Sequence, residues 1–223
     1  MNKTIIASII FMSVVANCQG QKSATKDTLQ FYFPLAEVFK DTSSYVKREP
    51  FHNAWYSKHL NAMKEPVIYV DNTLNEIYRF TWLRSFHHPI AIRIEKQENK
   101  YMLYWKVCNG AGGYDPGELI IDKKKTLDEN TWTEFKKLLD QVDFWNLQTS
   151  ERIPTRMVKM TDGSLAEEVT IGTDGAQWIL EGRINPQYHV VVRWTPNKES
   201  TYYQCCDFLI KLTDIEINDR DKY

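Results

Sequence analysis

Glu181 and His189 are the two residues whose types and spacing best suit acid–base chemistry. They lie on either side of a short break, within two runs in which bulky apolar residues alternate with polar ones. This alternation predicts two strands joined by a turn. With Arg183 opposite Gln187, Glu181 would face His189, and the carboxylate would orient the imidazole and raise its pKa. The two residues are therefore candidates for general acid–base catalysis.

The same register would give this hairpin one apolar face and one polar face. Leu180 would face Val190 and Trp178 would face Val192, so that these side chains enter the core together. The other face would carry the groups able to contact a ligand: Gln177, Glu181, His189 and Arg193. We expect this polar face to be a binding surface, and the alternative is a half-exposed cross-strand pair without a functional role.

Two further histidines, His87 and His88, precede a predicted strand. Neighbouring residues of a strand point to opposite faces, so at most one of them could join His189 and Glu181 around a metal ion. The sequence contains no zinc-binding spacing, no P-loop and no Gly-x-Ser-x-Gly nucleophile motif. We therefore predict no metal and no other cofactor, and a metal site that includes His87 or His88 is the alternative.

A second hairpin is predicted between residues 90 and 107. A two-residue turn at Glu98-Asn99 would set its register and give three apolar pairs: Ile94 with Leu103, Ile92 with Trp105, and Ile90 with Val107. The glycine-rich stretch that follows, residues 109–117, is interpreted as a connection with several residues at positive φ.

Helical patterns flank these strands. Apolar residues at helical spacing predict one helix over residues 51–63 and another over 202–212. Thr131 and Glu134 form a capping box, which predicts the start of a third helix. The fold class is therefore α+β, an antiparallel sheet built from β-hairpins. The helix that starts near Thr131 and the helix over 202–212 are expected to pack on one face of this sheet. Residues 29–223 are expected to form a single domain with an N-terminal helical segment, 29–65, alongside.

The N-terminus indicates export, because a short positive start precedes an apolar run too short to span a bilayer permanently. A sequence like a bacterial lipobox ends at Cys18, although Asn17 departs from the usual small residue. We predict a signal peptide over residues 1–18, lipidation of Cys18 and a flexible tether over residues 19–28. The protein would then be a membrane-anchored lipoprotein of the bacterial envelope. The alternative is cleavage near Gly20, which would release a soluble periplasmic or secreted protein.

The formal net charge is −1, and no basic stripe could follow a phosphate backbone, so we expect no nucleic-acid partner. Contact with a membrane would occur only through the lipid anchor, since no later segment is long and apolar enough to span. Cys108, Cys205 and Cys206 are expected to be buried and unpaired, and a disulfide from Cys108 to one of the other two is the alternative.

Several blocks between Tyr78 and Pro196 carry a resemblance to known proteins. The blocks are Phe86-His87-His88-Pro89, Gly112-Gly113-Tyr114, Asp174-Gly175-Ala176 with Trp178 and Leu180-Glu181, and Tyr188-His189-Val190-Val191 with Arg193-Trp194 and Pro196. Together they resemble a family of exported bacterial proteins to which no activity is assigned. The resemblance implies that these positions form one structural unit, and it brings no substrate or site.

The signals for export and for a polar, aromatic hairpin face are present, whereas a recognisable catalytic constellation is not. We therefore predict an envelope binding or interaction module without catalysis, whose partner is an unknown ligand or another envelope protein. The alternative is an enzyme, a hydrolase that uses His189 and Glu181 with or without a metal ion. A third possibility is a structural lipoprotein that binds no small ligand.

Overall fold

The computed structural model describes residues 30–34, 49–71, 73, 75–151, 155–169 and 174–223. The predicted signal peptide, Cys18 and the tether lie outside the described residues. Within them the chain forms a six-stranded antiparallel sheet, a separate two-stranded sheet and three α-helices, which confirms the predicted α+β class. No helix in this part of the chain is long and apolar enough to cross a membrane.

The elements follow one another along the chain with short connections. The strands are β1 (Glu76–Arg84), β2 (Ile90–Gln97), β3 (Lys100–Cys108), β4 (Leu119–Leu127), β5 (Thr155–Lys159), β6 (Leu165–Val169), β7 (Ala176–Ile184) and β8 (Gln187–Trp194). The α-helices are α1 (Glu49–Ala62), α2 (Glu129–Val142) and α3 (Thr201–Lys211). Single 3-10 turns occur at Ile68–Val70, Phe144–Asn146 and Asp219–Asp221. The large sheet has the order β4-β3-β2-β1-β7-β8, and β5 pairs only with β6.

One face of the large sheet carries an aromatic core. Phe80 and Trp82 of β1 pack beside Trp178 of β7, with ring centroids 5.2 and 4.9 Å from that of Trp178. Helices α2 and α3 cover this face with a stripe of buried side chains, as predicted: Trp132, Phe135, Leu139 and Val142 from α2, and Tyr202, Cys206 and Leu209 from α3. Burying one such large apolar side chain stabilises the fold by about 1.5–3 kcal/mol relative to leaving it exposed.

The opposite face of the sheet is also covered. Tyr56, Leu60 and Met63, from α1 and the turn after it, pack against Leu83 and Ile179. Because both faces of β7 are covered, its odd-numbered residues Ile179, Glu181 and Arg183 are buried. The prediction that this strand has one polar face open to a ligand is therefore wrong, whereas the predicted burial of Trp178 is confirmed.

The predicted register is correct for one hairpin and wrong for the other. Between β2 and β3 the three predicted apolar pairs all occur. Between β7 and β8 the prediction is wrong by one residue, because the turn consists of Asn185 and Pro186 and places Ile184 opposite Gln187. The observed partners are therefore Leu180 with Val191, Trp178 with Arg193, Glu181 with Val190, and Gly182 with His189. Val190 and Val192 stay buried, but on the face covered by α1.

Helix α2 starts two residues before the predicted capping box. Asp128 is the N-cap, and its carboxylate accepts a 2.7 Å hydrogen bond from the Thr131 backbone N–H. An aspartate at this position satisfies a free backbone donor directly, so the Thr131–Glu134 box is not used as the helix start. The three cysteines of the described chain, Cys108, Cys205 and Cys206, are buried and unpaired, as expected.

Candidate functional site: a cleft beside the glycine-rich loop

Glu181 and His189 do not form a pair. They are not cross-strand partners, and their side chains lie on opposite faces of the sheet. The Glu181 carboxylate accepts hydrogen bonds from Arg79 Nε (2.6 Å) and the Tyr188 hydroxyl (2.8 Å). Its side chain is fully buried, and burial raises the pKa of Glu181 although Arg79 and Tyr188 act in the opposite direction. Glu181 is thus a partner in a buried ion pair and is not accessible to a ligand.

Glu65 is the second anion of the same buried cluster. It accepts a 2.9 Å hydrogen bond from Arg93 Nε, and its carboxylate lies 3.5 Å from Arg79 Nη1 and 3.3 Å from Lys106 Nζ. Burial alone would raise the pKa of Glu65, but Arg93, Arg79 and Lys106 together hold it below its usual value. Glu65 thereby joins the segment after α1 to three strands of the sheet, β1, β2 and β3. This arrangement is that of a structural ion network.

His189 lies on the face covered by α2 and α3. Its ring packs edge-on against Phe144, with centroids 5.2 Å apart, and its Nε2–H donates to the Leu147 carbonyl oxygen (2.9 Å). Burial lowers the pKa of His189 and Arg193 adds to the effect, whereas the Leu147 carbonyl opposes it. The expected rise in the pKa of His189 is therefore wrong, because Glu181 does not face the ring.

The four residues of the predicted binding face are divided between the two sides of the sheet. Gln177 and Glu181 point towards the α1 side, and His189 and Arg193 point towards the α2 and α3 side. Arg193 donates to the Gln148 and Thr149 carbonyl oxygens, at 3.0 and 3.2 Å. The four side chains therefore do not make one common surface.

His87 and His88 also remain apart from His189. The Nδ1 atom of His87 shares a 2.8 Å hydrogen bond with the Tyr223 hydroxyl, and the Nδ1–H of His88 donates to the Gly110 carbonyl oxygen (2.9 Å). Across the described ranges, no group of three or more His, Cys, Asp or Glu side chains could hold a metal ion. The proposed combination of either histidine with His189 and Glu181 is not formed.

A cleft of about 770 Å³ lies at the end of the sheet where β1 meets β2. Three segments form its walls: the β1–β2 turn with Phe86 to His88, the start of the glycine-rich loop with Gly110, and residues Asp214–Asn218 together with Asp221. Apolar side chains of β2, β3 and β4 complete the lining: Ile90, Val107, Ile120 and Ile121. The backbone holds the first two segments together, because the Gly112 N–H donates to the His87 carbonyl oxygen (2.9 Å). Cleft volumes of roughly 300–1,000 Å³ are usual for small-molecule sites.

The glycine-rich loop forms one wall of the cleft through close backbone contact. Gly112 lies against β1 so tightly that a Cβ there would approach the Arg84 backbone nitrogen to 2.6 Å. Among the four glycines of this loop, only Gly117 has positive φ, at 69°. The prediction of several residues at positive φ is therefore wrong, since most of these glycines are required for close approach.

Two aromatic side chains stand exposed beside the cleft. Phe86 is 59 % and Tyr114 is 60 % exposed, and their ring centroids lie 6.2 Å apart. Phe86 lines the cleft itself, and Tyr114 sits at the tip of the glycine-rich loop. Exposed aromatic rings that flank a cleft provide apolar surface on which a ligand can stack.

The cleft was missed by the sequence prediction, although part of its signal was present. The blocks that begin at Phe86 and Gly112 are two of the four that the sequence analysis singled out, and the fold brings them into contact. Nothing in the sequence around residues 214–218 indicates that they line this cleft. They lie far along the chain from the other lining residues, and only the fold brings them there. Comparisons with protein-family models, with curated proteins and with solved structures give no match.

Proposed function

We propose that this protein is an envelope binding module and that its recognition site is the cleft beside the glycine-rich loop. The single observation that carries the proposal is the cleft itself, open to solvent, of ligand size and flanked by Phe86 and Tyr114. Polar groups also reach it from three segments of the chain. This combination of apolar surface with a few placed polar groups is typical of small-molecule sites.

The experiment is a ligand screen by two-dimensional ¹H–¹⁵N NMR on the full chain. We would use fragments of three classes: saccharides, dipeptides and aromatic carboxylates. We expect at least one class to shift the backbone resonances of Gly110 and Ala111 in a saturable way. Replacing Phe86 and Tyr114 by Ser should weaken that binding about tenfold, because the stacking surface is lost.

Leu165→Ser is the matched control, since Leu165 is 67 % exposed but lies on the separate two-stranded sheet. We expect it to leave the affinity unchanged. Binding that maps outside the cleft, or that survives both rim substitutions, would contradict the proposed site.

The same proposal includes export, anchoring at Cys18 and membership of the family of exported bacterial proteins. Its support is the short apolar run before Cys18 and the polar residues after it. We expect radiolabelled palmitate to be incorporated into the wild-type chain and into Cys108→Ala, and not into Cys18→Ser. A wild-type protein that is processed near Gly20 and carries no label would instead favour release into the periplasm or the medium.

A further inference from the structure

Arg84, the last residue of β1, is a buried cation that borders the cleft. The residue is 5 % exposed, and its guanidinium lies over the Trp82 ring, 4.3 Å from the ring centroid. No carboxylate oxygen of the described residues lies within 4.0 Å of it, and the Asp221 carboxylate of the neighbouring segment instead approaches His87 Nε2 (3.6 Å). A buried charge without a counterion is costly for a fold.

Most other buried cations of the described chain are ion-paired. Arg79 has Glu181 and Glu65, Arg93 has Glu65, and Lys106 has Glu65 as well. Arg183 is the exception, since it is buried, donates to the Tyr69 carbonyl oxygen (2.8 Å) and lacks a carboxylate partner. Among the buried cations that the structure describes, only Arg84 combines the lack of an ion pair with a position on the cleft.

The contacts of Arg84 fix its guanidinium but leave donors available. Nη1 donates to the Asp221 carbonyl oxygen at 3.3 Å and Nη2 to the His88 carbonyl oxygen at 3.2 Å, both long for such bonds. The Nε–H is buried and has no hydrogen-bond partner. Burial lowers the pKa of Arg84 to about 10, although Tyr223 and Asp221 act in the opposite direction without contacting the guanidinium as an ion pair. The guanidinium therefore stays charged at neutral pH while it lacks a strong acceptor.

We infer that Arg84 is the anchor for an oxyanion group, a carboxylate or a phosphate, of the ligand that enters the cleft. This inference rests on the proposed function and specifies its ligand class. The oxyanion accepts from Nε and from one Nη, in the side-on geometry in which guanidinium binds two oxygens, and it replaces the long bond to Asp221. The apolar part of the same ligand then lies towards Phe86.

The test uses the full chain with sodium acetate and sodium phosphate as probes, each titrated against sodium chloride at constant ionic strength. The readout is the side-chain Nε–H resonance of Arg84 in ¹H–¹⁵N NMR. We expect a saturable shift with acetate, with phosphate or with both. A shift with acetate alone assigns the site to carboxylates, and a shift with phosphate alone assigns it to phosphates.

Arg183 is the internal control, because its Nε–H is also buried and unpartnered but lies far along β7 from the cleft. We expect its resonance not to move, and we expect Arg84→Lys to weaken anion binding at least tenfold while Arg183→Lys does not. Equal shifts at both arginines, or none at Arg84, would overturn the inference. If a neutral fragment still binds at Phe86 in that case, the proposed function stands and only the ligand class is wrong.

Discussion

At the scale of single residues, the imidazole of His59 on α1 is a buried polar group without a close hydrogen-bond partner. His59 is fully buried, and neither ring nitrogen has a hydrogen-bond partner. Burial lowers the pKa of His59 to about 4, with Lys58 adding to the effect and Asp115 and the Gly112 backbone opposing it. The ring is therefore neutral in the folded protein at pH 7, and protonation favours unfolding.

We predict that this residue makes the free energy of unfolding depend on pH below neutrality. Because the folded pKa lies below the unfolded value of about 6.5, the stability is complete above pH 6.5 and falls as the pH drops towards 4. The loss attributable to His59 should reach about 3 kcal/mol, at roughly 1.4 kcal/mol for each unit of pKa difference. Urea unfolding at a series of pH values measures it.

His59→Leu isolates this contribution from that of the carboxylates, which also titrate at low pH. As the pH falls from 6.5 to 4, the unfolding free energy of the wild type should decrease more than that of His59→Leu, because the variant has no imidazole to protonate. A difference that stays constant across this range would show that His59 is not the group that titrates.

At the scale of the elements, the two hairpins show what alternation can and cannot determine. In β2 the large residues Ile90, Ile92 and Ile94 are separated by Ala91 and charged groups, so a slip by one residue would exchange bulky for small or charged side chains. In β8 the run Val190, Val191, Val192 is apolar on both faces, and a slip costs little. The alternation of side chains therefore determines the register of β2 with β3. The register of β7 with β8 depends instead on the length of the turn between them.

The polar groups of β7 were misinterpreted for a related reason. A charged residue in an alternating strand usually indicates a solvated face, but Glu181 is neutralised by Arg79, which is 102 residues away in sequence. The residues next to Glu181 in the sequence do not indicate that Arg79 is its partner. The cleft is equally non-local, since Phe86 and Gly110 meet the segment after α3 only through the fold. Elements with their own periodicity, such as α2 and the β2–β3 hairpin, were therefore predictable, and sites assembled between elements were not.

At the scale of the whole molecule, the sheet is a central layer with helices α2 and α3 on one face and α1 on the other. Different interactions attach the helices to each face. Helices α2 and α3 pack on a continuous apolar core. On the other side, α1 shares a smaller apolar cluster with the sheet, and the ion network around Glu65 lies beside it. The position of the α1 layer therefore depends on charge pairing as well as on apolar burial.

We predict that Glu65→Gln loosens the α1 layer before the rest of the molecule. The substitution leaves Arg79, Arg93 and Lys106 around a neutral amide, and breaking a buried ion pair from one side typically costs about 3–5 kcal/mol. Hydrogen exchange should accelerate in α1 while α2 and the aromatic face keep their protection, because α2 and the aromatic side chains lie on the other side of the sheet from Glu65. Asp115→Asn is the matched control, since its ion pair with Lys58 (3.1 Å) is solvent-exposed and worth less than about 1 kcal/mol. Uniform loss of protection in all three helices would show instead that the helices on the two faces unfold as one cooperative unit and that the network is not specific to α1.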